Sequence, residues 1–276
     1  MAHLTILGDT PISLYYTDSG GEGRPVVLIH GWPLSGEAFA GNEPALVAAG
    51  HRVITYDRRG FGRSDKPPTG YEYDTLASDL NELMLALDLT DAVLLGFSMG
   101  GGEVARYLGT YGEGRVAGAV FVGSITPALA KSDDNPDGAM GMGDFFALRD
   151  QCAGDRDAFL EQFTTWFYSN NEGLTVDEGV RREAVAIGGQ GSDYALPATI
   201  VIWATDFRAD LAKVTVPTLV IHGDGDQNVP FAASGARMQQ FVPHAQLHVV
   251  AGGPHGLNVS HREEFDKALG DFLASL

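Results

Sequence analysis

Gly96-Phe97-Ser98-Met99-Gly100 follows the apolar run Ala92–Leu95 and opens a helical pattern over Met99–Tyr111. A serine between two glycines at a strand-to-helix connection is typical of a nucleophile elbow, a turn too tight for larger side chains two residues either side of the serine. Such a turn exposes the hydroxyl above the sheet and places the next amide at a helix N-terminus, which favours negative charge. The alternative is a glycine-rich connection with a capping serine, which the flanking strand and helix disfavour.

Strand and helix patterns alternate on both sides of this turn. Strands are predicted at Leu4–Ile6, Ile12–Tyr16, Val26–Ile29, Arg52–Tyr56, Val116–Val122, Thr218–His222 and Leu247–Val250. Helices are predicted at Ala38–Ala49, around Leu76, Leu80, Leu83 and Leu87, at Phe231–Phe241, and around Phe265, Leu269, Phe272 and Leu276. This alternation predicts an α/β fold, with a mostly parallel sheet covered by helices on both faces.

The alternation stops between Gly123 and Ala212, where strand patterns are almost absent and aromatic residues at 159, 163, 166 and 167 share a helix face. We therefore expect an α/β core over residues 1–123 and 213–276 and a helical cap over residues 124–212. A cap at this point would lie over the carboxyl ends of the strands, where open α/β sheets bind ligands.

A nucleophilic serine needs a base, and His255 in Gly252-Gly253-Pro254-His255-Gly256 follows the last predicted strand. His30 and His222 end earlier strands and are expected to be structural. The acid that orients the base is Asp226 or Asp224; Asp226 is favoured because it lies further into the loop, whereas Asp224 suits a turn. The chain order Ser98, Asp226, His255 is the one found with nucleophile elbows.

Acyl transfer also requires donors for the tetrahedral oxyanion. The Met99 N–H is one candidate, and the Trp32 N–H in His30-Gly31-Trp32-Pro33, after the strand Val26–Ile29, is the other. Pro33 has no N–H and shapes the turn. The loop from Asp57 to Ser64 lacks the third glycine of a dinucleotide motif, so we interpret it as a structural loop flanking the active site.

Composition narrows the class of protein. The 276 residues carry a formal net charge of −18, with an isoelectric point of about 4.6, which argues against nucleic acid and anionic membranes as partners. No apolar run approaches the roughly 20 residues of a membrane span, and no signal peptide is evident, so a cytoplasmic location is expected. Cys152 is the single cysteine, and packing is a better explanation for it than catalysis. No metal-binding spacing occurs.

The chain resembles the cofactor-free haloperoxidases (non-heme chloroperoxidases), aryl esterases and γ-lactamases of the α/β-hydrolase superfamily. The likeness covers nearly the whole chain and rests on the stretches His30–Ser35, Tyr56–Gly62, Gly96–Glu103, Asp133–Pro136, Thr205–Arg208 and Pro254–Gly256. It implies an eight-stranded sheet with a helical cap, a Ser98–Asp226–His255 triad, oxyanion donors on Trp32 and Met99, and no cofactor or metal. The chain departs from this family at Asn258-Val259, where relatives often carry bulky apolar residues, and at Met140–Gly143.

The resemblance also implies hydrolysis of small esters through an acyl-enzyme, with perhydrolysis when hydrogen peroxide replaces water. Pro33 matches a proline associated with that activity, where it would reposition the Trp32 carbonyl; the alternative is an ordinary turn proline. The substrate pocket is expected at Trp32, Pro33, Phe97, Met99, Phe163, Phe167, Trp203 and Val229. An amidase or γ-lactamase would use the same triad, and a non-catalytic ligand-binding protein is a further alternative. A small ester or acid is the expected partner, and a homo-oligomer is compatible with the sequence.

Overall fold

The computed structural model describes residues 2–6 and 11–276, so residues 1 and 7–10 of the predicted core lie outside it. Its main sheet has eight strands in the order β1-β2-β4-β3-β5-β6-β9-β10. The strands of this sheet are β1 (Ala2–Ile6), β2 (Ile12–Asp18), β3 (Pro25–Ile29), β4 (Arg52–Tyr56), β5 (Ala92–Phe97), β6 (Val116–Val122), β9 (Thr218–Gly223) and β10 (Gln246–Val250). A separate hairpin consists of β7 (Ser169–Asn170) and β8 (Gly173–Leu174).

The sheet is antiparallel at one edge, where β1 pairs with β2 and β2 with β4, and parallel from there to β10. The central strands β3 and β5 are almost entirely buried, as expected for parallel strands covered on both faces. Their carboxyl ends therefore meet at one edge of the sheet, where the chain turns at His30 and at Ser98.

Ten α-helices accompany the strands within the described residues. They are α1 (Glu43–Ala48), α2 (Tyr73–Ala86), α3 (Met99–Tyr111), α4 (Met142–Gly154), α5 (Arg156–Phe167), α6 (Glu178–Gly188), α7 (Ala195–Ile202), α8 (Arg208–Leu211), α9 (Leu257–Ser260) and α10 (Arg262–Ala274). The leucines at 76, 80 and 83 of α2 are fully buried, because spacings of three and four residues place them on one face. Helix α3 packs against α2 and against β5 and β6.

Between β6 and β9, the segment predicted as a cap carries α4 to α8 and the hairpin β7–β8. Phe159, Phe163 and Phe167 of α5 are buried and belong to the same apolar core as the sheet. No helix of the described residues is long and apolar enough to cross a membrane. Whether the segment 124–212 behaves as a separate unit stays a prediction.

Two predicted helices are interrupted in the structure. The segment predicted at Ala38–Ala49 divides into a 3₁₀ turn, Gly36–Phe39, and α1, because Pro44 suits only the start of a helix. Between these two pieces, Asn42 is buried and its side-chain amide donates to the Asn258 carbonyl at 3.0 Å.

The segment predicted at Phe231–Phe241 forms two 3₁₀ helices, Phe231–Ala233 and Gly235–Gln240. Ser234 interrupts them with φ −134° and ψ −96°, and its hydroxyl donates to the Ser124 carbonyl. Gly235 lies so close to His222 that an added Cβ would stand 2.7 Å from Nδ1. Tertiary contacts of these two residues therefore prevent a continuous helix.

Candidate active site

The turn at Ser98 has the strained backbone of a nucleophile elbow. Ser98 has φ 55° and ψ −118°, a conformation that L-residues seldom adopt. A Cβ on Gly96 would lie 2.4 Å from the Gly100 carbonyl oxygen, and one on Gly100 would lie 2.4 Å from that of Ile29. Both clashes are with backbone, so the glycines are required for β5 to turn directly into α3.

The base predicted in the loop after β10 meets an acid from the loop after β9. His255 Nδ1 donates to Asp226 Oδ2 at 2.6 Å, and both side chains are completely buried. Because a carboxylate can only accept, this bond places the ring proton on Nδ1 and leaves the lone pair on Nε2. The alternative acid, Asp224, is exposed and accepts the backbone N–H of Gly252 at 2.6 Å, which is a turn contact.

Asp226 is held as a carboxylate by further donors. Its Oδ1 accepts the backbone N–H groups of Asn228 and Val229 at 2.9 and 2.8 Å, and His222 Nε2 lies 3.3 Å from Oδ2. Burial alone would raise the pKa of Asp226, but the nearby His255 and the hydrogen bonds from His222 and His255 lower it well below its usual range. His222, predicted to be structural, also donates Nε2–H to the Val229 carbonyl at 2.9 Å.

The other ring nitrogen of the base is available for chemistry. His255 Nε2 is buried and has no hydrogen-bond partner among the residues that the structure describes. Ser98, which is 6% exposed, lines the same cavity as His255. A buried lone pair and a serine hydroxyl that line one cavity are the two groups that general-base activation of a nucleophile needs.

Two backbone amides are free near the serine. Neither the Met99 nor the Trp32 N–H donates a hydrogen bond within residues 2–6 and 11–276, and Met99, as the first residue of α3, has no acceptor in the helix. Gly31 brings the Trp32 loop against the elbow, since a Cβ on Gly31 would lie 2.9 Å from Ser98 Cβ. The structure thus brings together both predicted donors, although their role in catalysis stays a prediction.

The cavity at Ser98 has a volume of about 450 Å³. Of the predicted pocket residues, Phe163, Trp203 and Val229 line it. The lining also includes residues that sequence analysis missed, namely Ile125, Leu129, Met140, Asp144, Ala147, Leu148, Gln151, Trp166, Gln227 and Asn228. Trp166 shares the aromatic pattern of α5, and Gln227 and Asn228 adjoin Asp226, so proximity to known features could have indicated these three.

The other predicted pocket residues lie behind this lining. The Trp32 ring packs edge-on against Phe163 and Trp203, and its indole N–H donates to the Leu196 carbonyl at 3.1 Å. Met99 is fully buried and is absent from the lining. Pro33 follows a cis peptide bond and packs against α6, where a Cβ on Gly188 would approach it to 2.9 Å.

Phe97 and Phe167 flank the base instead of lining the cavity. The ring centroids of Phe97 and His255 are 5.1 Å apart, and those of Phe167 and His255 are 4.8 Å apart at 88°. These two aromatic rings pack against the imidazole and do not line the cavity, so their contact with substrate stays a prediction.

Asn258 and Cys152, which sequence analysis singled out, do not line the cavity. Asn258 is buried and donates to the Ala38 carbonyl at 3.1 Å, so this departure from the family does not alter the cavity lining. Burial raises the pKa of Cys152 to about 11, which suppresses the thiolate. Within the described ranges, no cluster of three His, Cys, Asp or Glu side chains could hold a metal ion.

Known proteins resemble this chain over almost its whole length. The profile of the alpha/beta hydrolase fold family matches residues 24–261. A non-heme chloroperoxidase of Kitasatospora aureofaciens is 42% identical over 95% of this chain and 96% of its own, and a bifunctional esterase/perhydrolase of Acinetobacter calcoaceticus is 35% identical over 96% and 97%. The crystal structure of a bromoperoxidase from Bacillus anthracis, 46% identical, superposes with a TM-score of 0.95 over 99% of this chain and 100% of its own.

Proposed function

The chain belongs to the α/β-hydrolase family, among the non-heme chloroperoxidases and esterases, and on that premise we propose that it is a serine hydrolase of small carboxylic esters with perhydrolase activity. The relatives named above favour an enzyme over a non-catalytic binding protein, and they do not favour the amidase or γ-lactamase alternative. The substrate would be a small molecule, since the cavity of about 450 Å³ is lined mainly by apolar side chains.

The residues would act in a conventional order of steps. Ser98 Oγ attacks the ester carbonyl while His255 Nε2 takes its proton. The Met99 and Trp32 N–H groups then donate to the tetrahedral oxyanion, and the imidazolium is stabilised by Asp226. His255 returns the proton to the leaving alcohol, which leaves an acyl group on Ser98. Water, deprotonated by the same Nε2, releases the acid and restores the serine.

One observation carries this proposal. The Nδ1 of His255 is held by a buried carboxylate at 2.6 Å, while its Nε2 is buried without a partner in the described part of the chain and lines the same cavity as Ser98. An unpartnered buried nitrogen costs about 1–3 kcal/mol, so a purely structural histidine would be expected to avoid it. Proton transfer from Ser98 gives that nitrogen its partner.

Perhydrolysis would differ only in the molecule that attacks the acyl-enzyme. Hydrogen peroxide would lose one proton to His255 Nε2 and attack the acyl carbon, and the serine would leave with the proton, giving a peracid. Free peracid would then oxidise halide in solution, which accounts for haloperoxidase activity without a metal. The esterase/perhydrolase relative supports this extension.

The test of the nucleophile is turnover of p-nitrophenyl acetate by the wild type and by Ser98→Ala. We expect kcat to fall by about 10³-fold or more in the variant, with the melting temperature retained. Cys152→Ser is the matched control, because it removes the other candidate nucleophile, and it should keep wild-type kcat. An active Ser98→Ala would disprove the assignment.

The test of Pro33 is the ratio of peracid formation to ester hydrolysis, measured with acetate and hydrogen peroxide. If Pro33 positions the Trp32 carbonyl for peroxide, Pro33→Leu should lower the ratio about tenfold while leaving hydrolysis intact, a change of about 1.4 kcal/mol. An unchanged ratio would mean that Pro33 only shapes the turn. A cytoplasmic location is also part of the proposed function. Size-exclusion chromatography would establish whether the protein forms a homo-oligomer.

A further inference from the structure

A buried ion pair joins the loop of one amide assigned to the oxyanion to the helix of the other. Arg58 Nε donates to Glu103 Oε2 at 2.7 Å, and the two side chains are 1% and 0% exposed. Neither residue lines the cavity, and the proposed reaction uses neither of them. Burying two charges costs several kcal/mol each, and apolar residues of similar volume often serve stability as well, so this pair calls for a reason other than stability.

The arginine is bound to the loop that presents the Trp32 amide. Arg58 Nη2 donates to the His30 carbonyl at 2.8 Å, and the Arg58 backbone N–H donates to His30 Nε2 at 3.0 Å. His30 Nδ1 in turn donates to the Gly31 carbonyl at 2.8 Å. Three linked hydrogen bonds therefore hold the two residues immediately before Trp32.

The glutamate is bound to the helix that presents the Met99 amide. Glu103 lies four residues after Met99, so the first turn of α3 connects its backbone to that amide. Glu103 Oε1 accepts the Tyr56 hydroxyl, and the Tyr73 hydroxyl donates to the Met99 carbonyl at 3.0 Å. The carboxylate end of the ion pair is thus anchored at the start of the helix.

We propose that Arg58 and Glu103 are positioning residues that set the separation and orientation of the Trp32 and Met99 amides. The inference rests on the proposed function, since it concerns the same oxyanion site. Arg58 holds the loop that carries the Trp32 amide, Glu103 lies on the helix that carries the Met99 amide, and the ion pair joins the loop to the helix. Because an oxyanion donor is effective only when it is placed before the reaction, loosening this link should weaken the transition state more than the bound substrate.

A neighbouring ion pair provides a matched control. Arg59 donates two hydrogen bonds of 2.6 Å to Asp79 on α2, and both residues are buried. Arg59 is adjacent to Arg58 in the chain, yet its side chain has no hydrogen bond to His30, Gly31 or Trp32 in the described structure. Removing this second pair takes away the same two charges without removing a hydrogen bond to the oxyanion loop.

The experiment compares Arg58→Met/Glu103→Leu with Arg59→Met/Asp79→Leu. Both partners are replaced together, because removing one would leave an uncompensated buried charge. With p-nitrophenyl acetate, the first double variant should lose about 100-fold in kcat, with KM within about threefold of wild type. The control should keep kcat within about threefold, although its melting temperature changes by a similar amount.

The binding affinity of a boronic acid distinguishes a positioning role from a purely structural one. The boronic acid forms a tetrahedral adduct on the serine, so its affinity should fall in parallel with kcat/KM, whereas the affinity for the product carboxylate should not change. Should the double variant fail to fold, Arg58→Lys keeps the charge beside Glu103 but loses the guanidinium geometry that lets Arg58 donate to Glu103 and to the His30 carbonyl together. Its kcat should fall about tenfold, with a melting temperature close to that of the wild type.

Two results separate this inference from the proposed function. If wild type is active and folded Arg58→Met/Glu103→Leu or Arg58→Lys keeps kcat within about threefold, the positioning role is refuted and the serine hydrolase stands. Equal losses in both double variants would also refute it. If Ser98→Ala retains wild-type turnover, the proposed function fails and the positioning role fails with it.

Discussion

Replacing Asp226 with asparagine tests how the base is held in its reactive form. Asp226 Oδ1 accepts two backbone N–H groups, from Asn228 and Val229, and Oδ2 accepts His255 Nδ1 at 2.6 Å. In Asp226→Asn, the two backbone donors require the amide oxygen at the Oδ1 position. The NH₂ group then stands where Oδ2 was and can only donate toward His255 Nδ1.

The magnitude follows from this reversal. A donor facing Nδ1 favours the tautomer with the proton on Nε2, and that tautomer cannot accept the Ser98 proton. The variant also loses the negative charge that stabilises the imidazolium. Where an asparagine replaces the triad acid without altering the geometry, kcat falls by about 10⁴-fold, which corresponds to about 5.4 kcal/mol, and we expect a loss of this order here.

The assay is p-nitrophenyl acetate turnover, with thermal unfolding to show that the variant is folded. Asp224→Asn is the matched control, because Asp224 occupies the same loop and, in the part of the chain that the structure describes, its side chain accepts a single hydrogen bond, from the Gly252 N–H. It should keep kcat within about threefold, as a surface turn substitution does. Asp226 does not orient the base if a folded Asp226→Asn enzyme keeps more than a tenth of wild-type kcat. The same conclusion follows if kcat falls further in Asp224→Asn than in Asp226→Asn.

Three further outcomes are expected. Burial and the nearby Arg58 hold the pKa of His30 well below 6.5, so below pH 6.5 the unfolded chain binds a proton that the folded chain does not. The free energy of unfolding should therefore fall by up to about 1.4 kcal/mol per pH unit below pH 6.5. Urea unfolding at several pH values should show a weaker dependence of this free energy on pH in His30→Gln. In Gly100→Ala, whose Cβ would stand 2.4 Å from the Ile29 carbonyl oxygen, the free energy of unfolding should fall by about 3 kcal/mol or more. Gly143→Ala, where the Cβ would meet open space, should show no such fall. Met140→Ala widens the cavity and should raise kcat/KM for hexanoate over acetate esters by about tenfold; an unchanged ratio would remove Met140 from the acyl site.

The parts of the fold that sequence analysis predicted are those governed by local physics. The apolar runs predicted β3, β5, β6 and β9, because a strand buried on both faces is largely apolar. The elbow was predictable because its glycines are required where backbone packs closely: a Cβ on Gly96 would meet the Gly100 carbonyl, and a Cβ on Gly100 would meet the Ile29 carbonyl of β3. Residues at the ends of parallel strands necessarily share one edge, which is why Ser98, Asp226 and His255 could be proposed as neighbours.

The direction of a side chain after a strand end was not predictable in the same way. Trp32 carries a candidate oxyanion amide, yet its ring turns away to pack between Phe163 and Trp203. Phe97, beside the nucleophile, lies under the imidazole instead of in the cavity. Part of the cavity wall comes from α4, whose position depends on how the segment between β6 and β9 folds back, and no local pattern encodes that.

Discrimination between water and peroxide must arise from contacts outside the base. Both molecules would lose a proton to the same His255 Nε2 and attack the same carbonyl carbon, so the triad and the oxyanion amides contribute almost equally to both reactions. Hydrogen peroxide carries a second O–H group on the oxygen bonded to the attacking oxygen, and water has no group at that position. An acceptor facing this distal hydroxyl would favour peroxide over water, and the Trp32 carbonyl is the acceptor that we propose. On this argument, substitutions of Asp226 should lower hydrolysis and perhydrolysis by the same factor, whereas Pro33→Leu should change their ratio. A large change of ratio in Asp226→Asn would show that the two reactions do not share one base.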